Sequence, residues 1–367
     1  MIESLTIKNF KCFENQSFEF GNLTLLSGLN GTGKSSVFQS LLLLRQSNQQ
    51  RILENGLLLN GDLVKLGTAK DIFYEKASDY IFGFDIKFSG NHNASWQFNY
   101  DSETDIPRLI SKNVSKNIYN NNLFTDSFHY LTAERIGPRT SFAASDYFVN
   151  QHKQIGISGE YTSHFLSLFE EQDIENEKGH PKEKRLELKP QVVAWLDEIS
   201  PGVQIETIEY KDMDLVSLRY AFIIGDQKSN FYRSTNVGFG ITYTLPIVVA
   251  LLASKQNALI LLENPEAHLH PKGQFTMGEL IARTARCGVQ VIVETHSDHI
   301  LNGIRVAVHD KKLEPSQLRI YFLDRNKEKG QMCSKVIALK IDKDGRIDKW
   351  PDGFFDEWDK SLERLID

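Results

Sequence analysis

A glycine-rich octapeptide near the start of the chain constrains the fold more than any other segment. It reads Gly28-Leu29-Asn30-Gly31-Thr32-Gly33-Lys34-Ser35 and matches the pattern G-x-x-x-x-G-K-[ST] at every fixed position. The apolar run before it predicts a strand at residues 23–26, and the run after it predicts a helix through residues 36–44. A strand, a glycine loop and a helix in this order are the setting that the pattern requires. We therefore expect an α/β fold.

The residue types in this loop fit the binding of a nucleoside triphosphate. Gly31 and Gly33 permit a tight turn that points backbone N–H groups at phosphate oxygens, and the helix adds its positive end. Lys34 is placed to reach the β- and γ-phosphates, and the Ser35 hydroxyl is a candidate Mg²⁺ ligand. We expect ATP and Mg²⁺ as cofactors; the alternative is a glycine-rich turn with an exposed lysine. The predicted nucleotide-binding residues of the loop are Asn30, Gly31, Thr32, Gly33, Lys34, Ser35 and Ser36.

Composition indicates an ordinary globular protein. The 367 residues are 41% hydrophobic and 25% charged, and a net charge of -6 gives no general basic field for nucleic acid. A local basic strip for DNA stays an open alternative. The three cysteines are odd in number and far apart, which argues against a disulfide framework and fits a reducing cytosol. The chain lacks a signal-peptide pattern, and its longest apolar stretch, residues 245–253, is too short for a bilayer, so we expect a cytoplasmic protein without a membrane partner.

A second strong pattern is an apolar strand that ends in a carboxylate. Residues 259–262 are apolar, and Glu263 follows at the predicted strand tip. This is the Walker B arrangement, in which the carboxylate acts on Mg²⁺ and on the water beside the phosphates. Glu263 is therefore a candidate catalytic residue and metal ligand. Glu266 with His268 and His270 could ligate a metal, but nothing supplies a further ligand, so we prefer a turn that contacts a second subunit.

Two further segments place polar or glycine residues next to regular structure. Residues 291–293 are apolar, and the strand they predict ends in a polar tip that contains His296. The other segment, residues 234–242, contains Gly238 and Gly240 and precedes an apolar helix. Glycines before a helix N-terminus form a second phosphate-binding device. A simple junction between a loop and a helix is the alternative interpretation.

Together these segments resemble the RecF/SMC/OLD-like branch of the ABC-type ATPases, where OLD stands for overcoming lysogenisation. The opening Ile7-Lys8-Asn9-Phe10-Lys11-Cys12-Phe13 looks like the start of this branch, and the P-E-x-H-L-H-P sequence after Asn264 closely resembles its Walker B tail. The final W-P-x-G-F-F, at residues 350–355, resembles that of bacterial AAA-labelled ATPases. The resemblance is weakest over residues 101–185. It implies a P-loop NTPase fold, namely an ABC-type ATPase head with an added antiparallel β lobe and a helical insertion.

The resemblance also implies roles for single residues. Asn9, Phe10 and Lys11 are candidates for the wall beside the adenine base, with packing in the core as an equal alternative for Phe10. His296 has the position of the switch histidine that senses the γ-phosphate. Gly238 lies where the family has its signature segment, which completes the nucleotide site of the facing subunit. We therefore expect a homodimer or higher homo-oligomer that encloses ATP.

One position departs from the family pattern. Most ABC-type ATPases carry Asp and then Glu before the proline, whereas this chain has Glu263 and Asn264. Asn264 cannot take a proton, so either Glu266 supplies the general base or hydrolysis is slow. We expect a slow ATPase with a long-lived ATP-bound state. Its candidate catalytic residues are Glu263, Glu266 and His296.

Three consecutive segments are expected along the chain. Residues 1–100 would form an N-terminal ATPase lobe with the phosphate loop and an antiparallel sheet, and residues 101–230 a helical, variable insertion with a β-hairpin. Residues 231–367 would form a C-terminal ATPase lobe with the signature-like, Walker B and switch-histidine motifs. Other expected strands are 57–62, 80–88, 96–100, 203–210, 215–224, 318–323 and 334–341, and other expected helices are 160–170 and 191–199.

Two arginines lie in the segment 130–139, which is predicted to be a short strand followed by a charged turn. Arg135 and Arg139 belong to a charged turn and are interpreted as surface side chains. Contact with a phosphate or with a partner carboxylate is the alternative.

The leading hypothesis is an ATPase head that dimerises around nucleotide and controls a partner, in bacterial DNA repair or defence against phage. By resemblance, that effector would be separately encoded, for example an HNH nuclease. One alternative is that the chain is itself an OLD-like DNA nuclease, but the tail after Arg305 is too short for the Toprim domain of those enzymes. Another is an ATP-sensing scaffold with little turnover, because Asn264 would make the chain a binder. A transporter ATPase is disfavoured because no membrane segment is predicted.

Overall fold

The computed structural model describes residues 1–325 and 334–366, which belong to two compact units. The first unit comprises Met1–Thr125, Leu318–Lys340 and Ile347–Asp367, and the second comprises Asp126–Gln317 and Ile341–Arg346. These units differ from the three consecutive segments expected from sequence. The strand that begins at Leu318 joins the N-terminal unit because it pairs with a strand near the start of the chain. Pairing between distant strands of this kind leaves no local trace in a sequence.

The regular elements of the described residues are sixteen strands and eight α-helices. The strands are β1 (Ile2–Phe10), β2 (Phe13–Glu19), β3 (Leu23–Gly28), β4 (Ile81–Phe88), β5 (His92–Asn99), β6 (Leu109–Val114), β7 (Phe128–Leu131), β8 (Phe142–Ala143), β9 (Val203–Tyr210), β10 (Leu215–Ile224), β11 (Gln227–Lys228), β12 (Tyr232–Arg233), β13 (Leu259–Glu263), β14 (Gln290–Glu294), β15 (Leu318–Arg325) and β16 (Ser334–Leu339). The helices are α1 (Lys34–Gln49), α2 (Ala69–Ile72), α3 (Thr162–Phe169), α4 (Leu188–Asp197), α5 (Phe239–Ala253), α6 (Pro271–Arg286), α7 (Asp298–His309) and α8 (Glu357–Ile366).

The first unit contains an antiparallel sheet with the strand order β2-β1-β4-β5-β6. Alternating residues of β4 and β5 are buried, as expected for strands that pack one face on a core. That core is aromatic, with Phe82, Phe84, Trp96 and Phe98 at most 1% exposed. The sheet is the antiparallel β lobe that the sequence predicts.

The same unit holds the phosphate loop between β3 and α1. β3 pairs in parallel with β15, from Leu23 opposite Leu318 to Gly28 opposite Leu323, and β16 is antiparallel to β15. Residues 41–44 of α1 have no exposed surface, which is typical of a helix surrounded by its domain. The predicted strand, loop and helix are confirmed, and the helix extends beyond the prediction at both ends.

The strand predicted at residues 57–62 does not form. The side chain of Gln46, on α1, holds this part of the chain: Nε2 donates to the Leu58 carbonyl at 2.8 Å and Oε1 accepts from the Val64 N–H at 3.0 Å. Leu57 and Leu59 are fully buried, so the apolar run is a core segment. The Leu57 and Leu59 N–H groups donate to the carbonyl oxygens of Pro107 and Asp105, so the main chain of this run is satisfied partly by another segment and partly by the Gln46 side chain.

The second unit contains a parallel sheet in which β13 lies between β7 and β14. β13 and β14 are apolar and buried almost throughout, as parallel strands covered on both faces are. The hairpin predicted at 203–210 and 215–224 is confirmed, with β9 and β10 paired in antiparallel register. The predicted helices at 160–170 and 191–199 correspond to α3 and α4, with shifted ends.

The most apolar helix of the second unit is α5, which has 15 residues and Pro246 in its interior. Most of its side chains are buried, and it packs on α4, α6 and β13. No helix in residues 1–325 and 334–366 combines the length and the apolar character needed to cross a bilayer.

Candidate functional site

The phosphate loop has a backbone that requires glycine at two positions. Gly28 has φ of +138°, and a Cβ atom there would lie 2.0 Å from the Leu323 carbonyl oxygen of β15. Gly33 has φ of +97°, and its Cβ would lie 2.4 Å from Cys12 Sγ. A side chain at either position would meet both a conformational penalty and a steric clash. Close neighbours within the first unit thus explain the glycines at positions 28 and 33.

Replacing Gly33 by alanine should test this packing. We expect a free energy of unfolding lower by about 1–3 kcal/mol, and weaker ATP binding, because the loop must shift to relieve the clash. Thermal denaturation and titration with a fluorescent ATP analogue would measure the two effects. Gly225→Ala is the matched control: Gly225 also has a positive φ, of +61°, but no atom lies within 4 Å of its Cβ position. Equal stability of the Gly33 variant and the parent would contradict the packing argument.

The chemistry of the loop fits a triphosphate. α1 begins at Lys34 with no side-chain cap and no acidic residue in its first turn, so its positive end meets no competing carboxylate there. Lys34 is buried, and its Nζ donates to the carbonyl oxygens of Gly28 at 2.9 Å and Leu29 at 2.8 Å. The ammonium group is therefore held inside the turn. Of the other predicted binding residues, Asn30 and Gly31 are exposed, Gly33 and Ser35 are half-buried, and Thr32 and Ser36 are buried.

The end of the β15–β16 pair lies beside the loop, which the motifs did not indicate. Ser334 Oγ donates to the Thr32 carbonyl at 2.6 Å, and a Cβ atom on Gly31 would lie 3.8 Å from Arg325 Nη2. Arg325 and Ser334 are paired residues of the two strands. The structure thus brings an exposed guanidinium to the loop. No sequence signal could have found it, because the contact depends on the pairing of β3 with β15.

Two residues predicted beside the adenine base are core residues in this structure. Phe10 has no exposed surface, so the alternative interpretation, packing in the core, applies. Asn9 is buried, and its Nδ2 donates to Asp79 Oδ1 at 2.8 Å. Lys11 is half-buried, and its Nζ donates to Gln39 Oε1 of α1 at 2.7 Å. Burial lowers the pKa of Lys11 from its ordinary value. Of the three, only Lys11 keeps accessible surface next to α1.

In the second unit, Glu263 stands half-buried at the end of β13. Its Oε1 accepts a hydrogen bond from Tyr130 Oη at 2.9 Å, and its Oε2 accepts from the Ala133 N–H at 3.0 Å. Burial, and then the negative charge of Glu263, raise the pKa of Tyr130, so the phenol stays protonated and donates. These bonds fix the direction of the carboxylate.

Glu266 is joined to the tip of β14. Its Oε2 accepts from Thr295 Oγ1 at 2.7 Å, and its Oε1 accepts from the His296 N–H at 2.8 Å. The structure therefore brings together Glu266 and His296, which the sequence predicted as separate candidates. The His296 side chain is exposed. Sequence reasoning did not single out Glu294, a buried acid whose β14 position pairs directly with Glu263 of β13.

Asn264 has an unusual backbone and an unsatisfied side chain. Its φ is +43°, in the left-handed region that Asn and Asp tolerate better than most residues. Its N–H donates to the Glu294 carbonyl at 2.8 Å, which holds this conformation. The side-chain Oδ1 is buried and has no hydrogen-bond donor among the described residues. An acceptor of this kind fits a bound water better than an apolar neighbour.

Gly238 lies directly before α5, on open surface. The following Phe239 is 44% exposed, and the first turn of α5 carries no acidic side chain. The helix end is therefore accessible and electrostatically suited to an anion or to another chain. Its role in a facing subunit stays a prediction.

The interpretation of Arg135 as a surface side chain is wrong. Arg135 is 5% exposed, whereas Arg139 in the same segment is exposed as expected. The short strand β7 ends at Leu131, and the chain then turns inward beneath α5, which buries the guanidinium.

The described residues contain no group of three or more His, Cys, Asp or Glu side chains placed to hold a metal ion. The alternative of a metal site at Glu266, His268 and His270 thus has no support in the geometry. Mg²⁺ does not need such a cage, because it keeps waters and takes most other ligands from substrate phosphates. One hydroxyl, that of Ser35, is a suitable protein contribution on the phosphate loop. Of the cysteines, Cys12 and Cys287 are free thiols, and Cys333 lies outside the described residues.

Comparisons with solved structures show the fold. A crystal structure of an SMC head bound to the C-terminal winged-helix domain of ScpA aligns with a TM-score of 0.57 at 15% identity, over 93% of this chain and 98% of that one. An Smc head domain with an extended coiled coil, bound to the C-terminal domain of ScpA and derived from Pyrococcus furiosus, aligns with a TM-score of 0.52 at 13% identity, over 100% and 99%. The predicted P-loop ATPase fold of the SMC-head type is therefore confirmed. No curated protein matches the chain by sequence.

Comparisons with family models show the family. A model described as a protein of unknown function (DUF3696) matches residues 313–365, the region that contains the W-P-x-G-F-F sequence. Residues 23–302, which include the phosphate loop, Glu263 and His296, match the model described as "AAA domain, putative AbiEii toxin, Type IV TA system". That match covers most of the chain, and the chain belongs to this family of AAA ATPases.

Proposed function

We propose that the chain binds ATP with Mg²⁺ at its phosphate loop and hydrolyses it slowly. The observation that carries this proposal is the loop itself, in which a glycine-dependent turn, a buried Lys34 and an α1 terminus free of acidic side chains form a site for phosphate. Ser35 is the proposed Mg²⁺ ligand there. A titration of the purified protein with ATP, with and without Mg²⁺, tests it together with phosphate release. Absence of ATP binding at millimolar concentrations would refute the proposal.

Glu266 is the proposed general base. Asn264 cannot take a proton, whereas Glu266 is a carboxylate held by two hydrogen bonds at the tip of β14. The unsatisfied Oδ1 of Asn264 supports a second role, the orientation of a water, because amide side chains orient the attacking water in some NTPases. Slow turnover follows if the base acts from a position other than the usual one.

Arg325 is proposed to strengthen nucleotide binding. Its guanidinium lies beside Gly31 of the loop and is exposed, so it can reach a bound phosphate. We expect Arg325→Gln to weaken ATP binding by about 10- to 150-fold, as the loss of one charge-assisted hydrogen bond of roughly 1.5–3 kcal/mol would. Isothermal titration would measure this, and Arg319→Gln, on the same strand, is the matched control. Unchanged affinity in the Arg325 variant would contradict the role.

We further propose that two copies close around ATP and thereby control a separate effector in bacterial DNA repair or defence against phage. The exposed N-terminus of α5 after Gly238 supports a contact with a second copy. Two findings support partner control. The similar SMC head structures are bound to a domain of ScpA, and the family that the chain matches is described as "putative AbiEii toxin, Type IV TA system". An HNH nuclease is one candidate effector.

Mass measurement with and without ATP and Mg²⁺ tests the closed dimer. We expect the mass to double only when both are present, and to remain that of a monomer in the Lys34→Ala variant. An ATP-independent mass would contradict nucleotide-driven closure.

A nucleotide-sensing scaffold is the alternative function, and Asn264 favours it. Tight ATP binding without phosphate release would identify this role.

A further inference from the structure

The buried guanidinium of Arg135 makes hydrogen bonds to three separate segments of the second unit. Nη1 donates to the carbonyl oxygens of Thr132 at 2.9 Å and Glu263 at 2.7 Å. Nη2 donates to the Asn264 carbonyl at 2.8 Å, and Nε donates to the Tyr243 carbonyl at 3.3 Å. The planar guanidinium thus connects the main chain at the end of β13 to the segment that follows β7 and to the first turns of α5. Lysine cannot reproduce this set of directed bonds.

The electrostatics of Arg135 are unusual for a buried cation. No Asp or Glu among the described residues forms an ion pair with it, and the hydrogen-bond acceptors of its side chain are carbonyl oxygens. Burial lowers the pKa of Arg135 to about 10, opposed by Tyr243, Glu266 and Glu263, so the group is still charged at neutral pH. A buried charge without a carboxylate partner is costly, and an apolar side chain would avoid that cost. What the guanidinium provides, and an apolar side chain could not, is the set of four directed hydrogen bonds.

Tyr243 completes the contact on the side of α5. Its ring lies under the guanidinium, with 4.6 Å between the Arg135 carbon and the ring centre. Its hydroxyl donates to the Ala133 carbonyl and accepts from the main-chain N–H of Arg135 at 3.2 Å. The Ala133 N–H in turn donates to Glu263 Oε2. The segment that orients the Glu263 carboxylate is therefore fastened to α5 through this tyrosine.

The same part of α5 also contacts the turn that carries Glu266. The His268 ring lies 4.6 Å from the ring of Phe239 and 4.8 Å from the ring of Tyr243, measured between centres. A Cβ atom on Gly240 would lie 2.5 Å from the His268 carbonyl oxygen, so helix and turn approach closely. The first turns of α5 thus pack directly against the segment between Glu263 and α6.

We infer that Arg135 is a positioning residue for hydrolysis: with Tyr243 it holds the acid-bearing end of β13 in register with the N-terminal turns of α5. A displacement of these turns would move the Glu263 main chain through this linkage. The inference rests on the proposed ATPase function. Arg135 does not itself need to touch nucleotide, so its effect should appear in the hydrolytic step and not in ATP affinity.

The test compares Arg135→Lys with Arg139→Lys, an exposed arginine of the same segment. We expect Arg135→Lys to lower the rate of phosphate release by about 10- to 100-fold, because small misplacements of catalytic groups have effects of this size. The ATP dissociation constant should change less than about 2-fold, because Arg135 is not expected to contact the nucleotide. Arg139→Lys should match the parent in both measurements. Circular dichroism and thermal denaturation would confirm that each variant is folded.

Two results would overturn the inference. One is a folded Arg135→Lys protein that hydrolyses ATP at the parental rate. The other is a parallel loss of affinity and rate, which indicates a general structural role. Hydrogen exchange at the amides of residues 259–269 gives a readout without turnover, and we expect faster exchange in Arg135→Lys. Failure of the parent to hydrolyse ATP would refute the proposed function, while the exchange measurement would still decide whether Arg135 orders this segment.

A double-mutant cycle tests the linkage with Tyr243. Tyr243→Phe removes the hydroxyl bonds to Ala133 and Arg135 but keeps the ring under the guanidinium. If the two residues act as one unit, the double variant with Arg135→Lys should be no slower than Arg135→Lys alone. Additive losses in rate would show that they act independently and would overturn the linkage.

Discussion

Replacement of Lys34 by alanine is expected to abolish measurable ATP binding, with a loss of at least about 100-fold in affinity. The ammonium group supplies charge-assisted hydrogen bonds to phosphate, each of which is worth roughly 1.5–3 kcal/mol. It also closes the loop, since Nζ bonds the carbonyl oxygens of Gly28 and Leu29. Isothermal titration calorimetry with ATP and Mg²⁺ would measure the loss.

The control for this variant is Lys70→Ala, which removes an exposed lysine from the same unit. We expect it to bind ATP like the parent. Because the net charge falls equally in both variants, this result would show that the loss in Lys34→Ala does not come from the change in net charge. Retention of ATP affinity within about 3-fold in Lys34→Ala would mean that the phosphate loop is not where the nucleotide binds. The ATPase proposal would then fail at its first step.

Replacement of Glu266 by glutamine is expected to reduce phosphate release by about 100-fold or more while ATP still binds. Glutamine keeps the shape of the side chain but cannot take a proton, and general-base catalysis typically contributes 10²- to 10⁴-fold. Its carbonyl oxygen can still accept from the His296 N–H, and its amide nitrogen can donate to the Thr295 hydroxyl oxygen, so both contacts can be kept with one bond reversed. Single-turnover phosphate release, after saturation with ATP, isolates this step.

The complementary change is Asn264→Asp, which restores a carboxylate where most ABC-type ATPases have one. Aspartate tolerates the φ of +43° at this position, so we expect a folded protein with faster hydrolysis. Glu134→Gln, at an exposed glutamate of the same unit, should leave the rate unchanged. If Glu266→Gln hydrolyses ATP as fast as the parent and Asn264→Asp does not alter the rate, Glu266 is not the base.

Local patterns predicted those parts of the fold whose structure depends on neighbours in the chain. The strand, loop and helix around Gly28–Ser35 formed as expected because the apolar runs and the glycine spacing are properties of the segment itself. The β9–β10 hairpin formed for the same reason. The run at residues 57–62 has the same apolar character, yet it forms no strand: its main chain bonds the Gln46 side chain and the carbonyl oxygens of Asp105 and Pro107.

Side-chain environments could not be predicted in this way. Arg135 and Arg139 look alike in the sequence, four residues apart in a charged turn, but only Arg135 lies beneath α5. Phe10 likewise stands in a family-like segment and yet has no exposed surface. Burial of a side chain depends on what packs over it, and that is decided by elements far away in the chain.

The sequence by itself determined the phosphate loop, the carboxylate at the end of β13 and the polar tip of β14, because each needs only a short stretch of residues of the right kind. Only the tertiary structure decided that Glu266 bonds the tip that carries His296, that Arg325 lies beside the loop, and that Arg135 holds the end of β13. These contacts join residues remote in sequence through strand pairing and helix packing. Their energies depend on distances and directions in space, which no local pattern of residue types contains.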